Sequence, residues 1–208
     1  MSPGPTFDRV YLALKEQLMC GRFAPGDHLE PVVIGEELHS SITPVRDALH
    51  RLVGERLVEA PRNDGFRVPF PTEAELRDLY GWNRELAELG LRHPAAKTSP
   101  SLSTDLEAVT GGTEIADVAA LLFRRVARRS ANPELEFAVE AVSDRLAAMR
   151  HVEARTFEDA SEEIESLCAL FANGQIVELR RSVIAYHKRR QRAVPGLLVA
   201  ARHRRDRD

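Results

Sequence analysis

Phe7, Val10, Tyr11, Leu14 and Leu18 recur at i, i+3, i+4, i+7 and i+11, the spacing that gathers apolar side chains on one face of a helix. Gly21 and the Pro25-Gly26 pair end that helix. A short extended piece follows around His28 to Glu30, and a second helix is predicted from about Val32 to Leu38. The stretch Ser40 to Leu49, SSITPVRDAL, predicts a third. Ser41 or Thr43 can cap its start, Pro44 suits its first turn, and Arg46 projects from that turn. Val45, Leu49, Leu52 and Val53 then bury one face, which leaves Ser41, Thr43, Arg46 and His50 on the other. Leu57 to Ala60 and Phe66 to Val68 read as short strands. Between them Asn63-Asp64-Gly65 supplies residues that tolerate positive φ, as a tight hairpin requires. Three helices and a β-hairpin over residues 1–70 describe a winged helix-turn-helix, which implies that double-stranded DNA is the partner.

Past Pro69 the period of two disappears. Pro71-Thr72-Glu73 resembles a helix start, and Leu76, Leu79, Tyr80, Asn83, Leu86 and Ala87 continue one face to about Leu91. His93-Pro94 breaks it. Loops around a short helix are predicted from Lys97 to Gly112. Further helices follow at about Ile115 to Arg129, Pro133 to Arg155, Ala160 to Ala172 and Gln175 to Gln191, with Asn173-Gly174 as the turn before the last. Residues 71–208 therefore predict an all-α bundle of six or seven helices. AVPGLLVAA, Ala193 to Ala201, reads as an apolar strip after a Pro-Gly turn. The basic runs His187 to Arg190 and Arg202 to Asp208 read as a solvated tail rather than a nucleic-acid site.

Composition changes this picture in three places. The chain has 208 residues, 43% of them hydrophobic, enough for two packed cores. No run of eighteen apolar residues and no signal peptide are visible, so no membrane partner and a cytoplasmic location are expected. Cys20 and Cys168 lack any pairing pattern and are expected as reduced core thiols. Charge is less obliging. Residues 1–70 hold eight arginine and lysine side chains against ten carboxylates, a formal balance of minus two. Phosphate neutralisation dominates non-specific affinity, so such a domain must concentrate its positive charge on one face and bind through two copies.

The run GRFAPGDHLEPVVIGEELHSSITPVRDALHRLVGERLVEAPRNDGFRVP, within Tyr11 to Pro69, resembles the amino-terminal domain of the GntR family of bacterial transcription regulators. Its signature is a Pro-Gly, then TPVR-AL-RL, then a Gly-tipped wing. The helical part resembles, in outline, the ligand-binding domain of the FadR-like branch. The resemblance implies a homodimeric regulator, a repressor modulated by a small-molecule effector, that reads a pseudo-palindromic operator. It places Ser41, Thr43, Arg46, His50, Arg51, Arg62, Asn63 and Gly65 at the DNA. Each has a plainer alternative: Arg46 could pair with Asp47 or Glu55, Arg62 with an acidic neighbour rather than a phosphate, and Ser41 and Thr43 could be caps only. Most FadR-like members carry arginine where Ile42 stands, and guanine readout is lost there; Ile42 touches a thymine methyl or faces nothing.

In that branch the bundle often holds a divalent metal on one aspartate and several histidines. The matching places here are Ala119 or Ala120, Phe123 or Arg124, Ile164, and Tyr186 or His187. One histidine does not make the site, so no metal and no cofactor are expected. By the same resemblance Tyr80, Asn83 and His187 are candidate effector contacts. Trp82 and Arg84 on the same helix could equally face solvent or a partner subunit. Two other readings remain. One is a regulator without small-molecule control, constitutive or governed by a protein partner. The other is a metal-binding helical protein or enzyme that uses the winged helix as an interaction module, although no nucleophile, base and orienter set is visible.

Overall fold

The computed structural model describes residues 5–62, 64–92 and 114–205. Eight helices lie among them: α1 Pro5–Met19, α2 Pro31–Glu37, α3 Ile42–Gly54, α4 Glu73–Arg92, α5 Ile115–Arg128, α6 Pro133–Thr156, α7 Ala160–Ala172 and α8 Ile176–Arg205. The chain folds as two compact units, Met1–Phe70 with Ala201–Asp208 and Pro71–Ala200.

In the first unit Val10, Leu14, Val45, Leu49 and Leu52 are fully buried, so the faces read from periodicity are the faces that pack. The turn after α1 takes Gly21 at φ +71°. Ala24 to Asp27 closes tightly, the Asp27 carboxylate accepting from the Ala24 amide at 2.6 Å. The two expected strands are reduced to single bridges. Glu59 and Arg67 exchange both amide hydrogen bonds, at 2.8 and 3.0 Å, and Gly65 at φ +67° turns the tip. The extended piece before α2 joins them: Leu29 donates to the Phe66 carbonyl at 2.8 Å and Val68 to that of Asp27 at 2.9 Å. A wing of three short segments results, attached to the core by Leu57, Val58, Phe66 and Val68.

The second unit is all helical, with five helices among the described residues. The short helix expected between Lys97 and Gly112 lies outside them. α4 opens with a reciprocal cap in which the Glu75 amide donates to the Thr72 hydroxyl at 3.3 Å, and the Thr72 amide to the Glu75 carboxylate at 2.8 Å. Asn132 caps α6, its side chain accepting from the Glu134 amide at 3.1 Å. Gly174 takes φ +68° between α7 and α8. α4 and α5 cross closely at Gly90, where an added Cβ would stand 2.7 Å from the Val126 carbonyl oxygen.

Several expectations are corrected. α8 does not stop near Gln191 for a Pro-Gly turn; it runs through Pro195 to Arg205. Val194, Leu197 and Leu198, at i, i+3 and i+4, are all buried, and that burial outweighs the amide hydrogen bond Pro195 cannot donate. His187 and Arg190, read as part of a solvated basic run, are buried at 0% and 2% exposure, because they share the inward stripe of Val183, Tyr186 and Val194. Cys20 is exposed just past α1, whereas Cys168 is buried and its thiol is pushed up to about 11 by burial. Among the described residues, no helix is long and apolar enough to cross a membrane.

Candidate nucleic-acid interface

α3 is fixed from behind. Val45, Ala48, Leu49 and Leu52 are buried, and at the far end Glu55 gathers the Tyr11 hydroxyl at 2.7 Å, the Lys15 ammonium at 3.1 Å and the Arg51 guanidinium at 3.4 Å. Burial alone would raise the Glu55 carboxyl. The hydrogen bonds from Tyr11 and Lys15, with the nearby cations, outweigh burial and hold it below its ordinary value. α2 is tied to α1 by Arg9, which donates to the Leu38 carbonyl at 2.8 Å, a cation on the open carbonyls of a helix end.

The opposite face stays open. Ser41, Ile42, Thr43, Arg46 and His50 are exposed. Ser41 stands at the N-cap position with extended backbone, but neither it nor Thr43, already inside the helix, makes the expected side-chain capping bond. Both hydroxyls face outward. Arg46 forms no ion pair or hydrogen bond among the described residues, so the pairing with Asp47 or Glu55 does not form. His50 stands edge-on to Phe66 with ring centres 5.0 Å apart, joining α3 to the wing. Arg51 turns back: its guanidinium lies 3.8 Å from the centre of the Tyr11 ring and also bonds Glu55. At the wing, Arg62 and Gly65 are exposed, and Asn63 lies outside the described residues. Arg67, which the sequence did not single out, pairs with Glu59 at 3.0 Å and Asp64 at 3.4 Å. Among the described residues the face thus presents one unengaged guanidinium just past the first turn of α3 and another beside the wing tip. An arginine fork of this kind matches guanine O6/N7 or a phosphate.

Tyr80, Asn83 and His187 do not line an open chamber. The Tyr80 hydroxyl donates to Glu153, whose other oxygen accepts from Arg190 Nε at 2.7 Å. Arg190 also reaches Glu163 at 2.6 Å and lies 3.3 Å from the centre of the Tyr186 ring. Burial, with the adjacent Glu153 carboxylate, pushes the Tyr80 hydroxyl well above its usual range. His187 Nδ1 is 2.8 Å from the Val183 carbonyl, and Nε2 is 2.9 Å from the Asn83 side chain. Burial holds the imidazole neutral, down to about 3, with Arg150, Arg190 and Arg84 adding to the effect. A neutral ring has one N–H, which at Nδ1 donates to the Val183 carbonyl. Asn83 must then turn its amide NH2 toward Nε2, which gives Nδ2 a partner and places Oδ1 at the unpartnered position instead. Beside this network Arg150, Glu153, Tyr186 and Arg190 border a cavity of about 10 Å³, room for one water. Glu153 and Arg190 had no spacing signal that joined them, since α6 and α8 are brought together only by folding.

The metal of the resembling branch does not fit. Ala119, Ala120, Phe123 and Ile164 offer no donor at the matching places, and both His187 nitrogens are engaged. Among the described residues no three His, Cys, Asp or Glu side chains group together.

Residues 6–68 match the family model described as bacterial regulatory proteins, gntR family. The HTH-type transcriptional repressor GlaR of Escherichia coli (strain K12) is 34% identical over 70 residues, 34% of this chain and 32% of that protein. The HTH-type transcriptional regulator McbR of the same strain is 41% identical over 78 residues, 38% of this chain and 34% of that protein. These matches span about a third of each relative's length. Both relatives are named as regulators of transcription rather than enzymes. Among solved structures, a GntR structure from Rhodococcus sp. RHA1 has a TM-score of 0.76 at 19% identity, covering 91% of this chain and 97% of that one. E. coli McbR/YncC has a TM-score of 0.70 at 22% identity, covering 93% and 99%. At those identities the likeness establishes the fold: an amino-terminal winged helix-turn-helix followed by a helical unit.

Proposed function

We propose that this chain is a sequence-specific DNA-binding transcription regulator of the GntR type, acting as a homodimeric repressor at a pseudo-palindromic operator. The observation that carries the reading is the open face of α3, where Arg46 has no partner among the described residues, in a segment that matches the gntR family. α3 enters the major groove with Ser41, Thr43 and Arg46 leading and His50 further along. Arg62, Asn63 and Gly65 bring the wing to the flanking phosphates. Arg51 contributes mainly by stiffening α3 against Tyr11. The direct test is selection from a randomised duplex pool at low ionic strength. Enrichment of an inverted repeat supports the reading, and a pool that stays random after repeated rounds removes it.

On this reading the helical unit, whose sequence resembles the FadR-like branch in outline, is the seat of control and dimerisation. A small-molecule effector that reaches Tyr80, Asn83 and His187 must displace bonds those residues already make inside the chain. The completeness of that network favours a second reading, in which DNA binding is constitutive or governed by another protein. Thermal-shift screening with metabolite acids, with and without a chelator, separates the two. A saturable rise in melting temperature indicates effector control, and its absence across the screen indicates the second reading.

A further inference from the structure

Resting on the reading that α3 enters the major groove, we infer that Ile42 and Arg46 act as a pair that reads a thymine next to a guanine, Ile42 through the C5 methyl group and Arg46 through O6 and N7. Ile42 is the first residue of α3 and is 46% exposed, an apolar β-branched side chain that is not among the buried residues of its helix. Residues four apart on a helix stand side by side, with Cβ atoms about 5–6 Å apart. Ile42 is therefore the immediate neighbour of the unpartnered Arg46 guanidinium. The C5 methyl of thymine is the apolar feature of the major-groove edge, and guanine offers the two acceptors an arginine fork fits. Adjacent bases are about 3.4 Å apart along a strand, a difference the longer arginine side chain spans. Val32 and Val33, in the first turn of α2, are 52% and 51% exposed, so the helix-turn-helix leaves further apolar surface open besides Ile42. An arginine at position 42 would ask for a second guanine. Isoleucine asks for a methyl group instead, and so moves the base preference without changing the fold.

The experiment begins with the operator recovered from the randomised pool. Each thymine of one half-site is replaced singly by deoxyuridine, which removes only the C5 methyl. One position, next to the guanine that Arg46→Ala ceases to distinguish, should lose about fourfold in affinity, the worth of one buried methyl group. In Ile42→Ala that loss should vanish, while the remaining thymines respond as they do in the wild type. Placing 5-methylcytosine rather than cytosine at the same position, opposite guanine, should restore about the same factor for the wild type and nothing for Ile42→Ala. Ile42 is exposed, so the variant keeps its core. If uracil is tolerated at every position, or if sensitivity persists in Ile42→Ala, the inference is wrong while the DNA reading stands. If no operator is selected at all, both fall together.

Discussion

Arg46 and Arg51 lie five residues apart on α3 and face different tasks. Arg46 has no partner among the described residues, so on the proposed reading its removal costs the isolated protein little and the DNA complex a great deal. Arg46→Ala should weaken operator binding by about 1 to 3 kcal/mol and relax preference at one base pair. Arg51→Ala loses the contact with the Tyr11 ring and the bond to Glu55. At a half-exposed site that is worth about 0.5–1 kcal/mol of folding stability. Titration at fixed salt, beside urea unfolding of both variants, separates these roles; equal binding by Arg46→Ala would show that another element reads the bases. His187 gives a third residue-scale expectation. Folded, its imidazole protonates only near about 3, whereas unfolded it protonates near about 6.5. As pH falls the unfolded chain takes up the proton first. The stability due to the neutral ring is complete above about 6.5 and is lost progressively between there and about 3. The slope approaches about 1.4 kcal/mol per pH unit within that window. Urea midpoints from pH 7 to 5 should fall accordingly, and His187→Gln should flatten the profile; a wild-type profile equally flat would contradict the buried neutral ring.

At the scale of elements, two glycines in helices predict changes of opposite sign. Gly→Ala in a helix interior gains roughly 0.5–1 kcal/mol from backbone entropy alone. At Gly196 in α8 nothing lies within 4 Å of the added Cβ, so Gly196→Ala should be stabilising by about that amount. At Gly90 the Cβ meets the Val126 carbonyl at 2.7 Å and its Cγ1 at 3.1 Å. There the two helix backbones must separate, and overpacking of about 1–3 kcal/mol exceeds the entropic gain. Thermal unfolding of the pair checks this, and stabilisation by Gly90→Ala would mean that α4 and α5 yield easily. The same scale shows what the sequence made legible. α1 to α7 follow from apolar spacing and local chemistry, because caps such as Thr72 and turns such as Gly174 act within a few residues. The continuation of α8 through Pro195 did not, since a local breaker was outweighed by the burial of Val194, Leu197 and Leu198 around it. In the candidate DNA face, the openness of Arg46 was legible from its place near the start of α3, off the apolar stripe of Val45, Leu49 and Leu52. The capture of Arg51 by the Tyr11 ring required a tertiary contact forty residues away, whereas its bond to Glu55 is a local pair one helical turn on. Likewise, Arg190 read as one of a run of cations and turned inward to Glu153.

For the whole molecule, the charge balance of residues 1–70 decides how DNA is held on the proposed reading. With eight cationic and ten anionic side chains over residues 1–70, one copy neutralises few phosphates and gains little non-specific affinity. Two copies related by a two-fold axis change the arithmetic. Once the first reading helix is seated, the second binds at a high effective concentration, and linked sites of this kind gain about 10²–10⁴ over one alone. A duplex carrying a single half-site should therefore bind about a hundredfold or more weaker than the inverted repeat. Inserting about five base pairs between half-sites turns them to opposite sides of the duplex and should cost a comparable factor. Inserting a full turn should leave the faces aligned but draw the centres apart by about 34–36 Å, so recovery there depends on how far the dimer can spread. Fluorescence anisotropy with the four duplexes at one salt concentration measures all these quantities. Equal affinity for the half-site and the repeat would show that each chain binds alone, and the homodimeric operator would then have to be abandoned, although Arg46 could still be the residue that reads it.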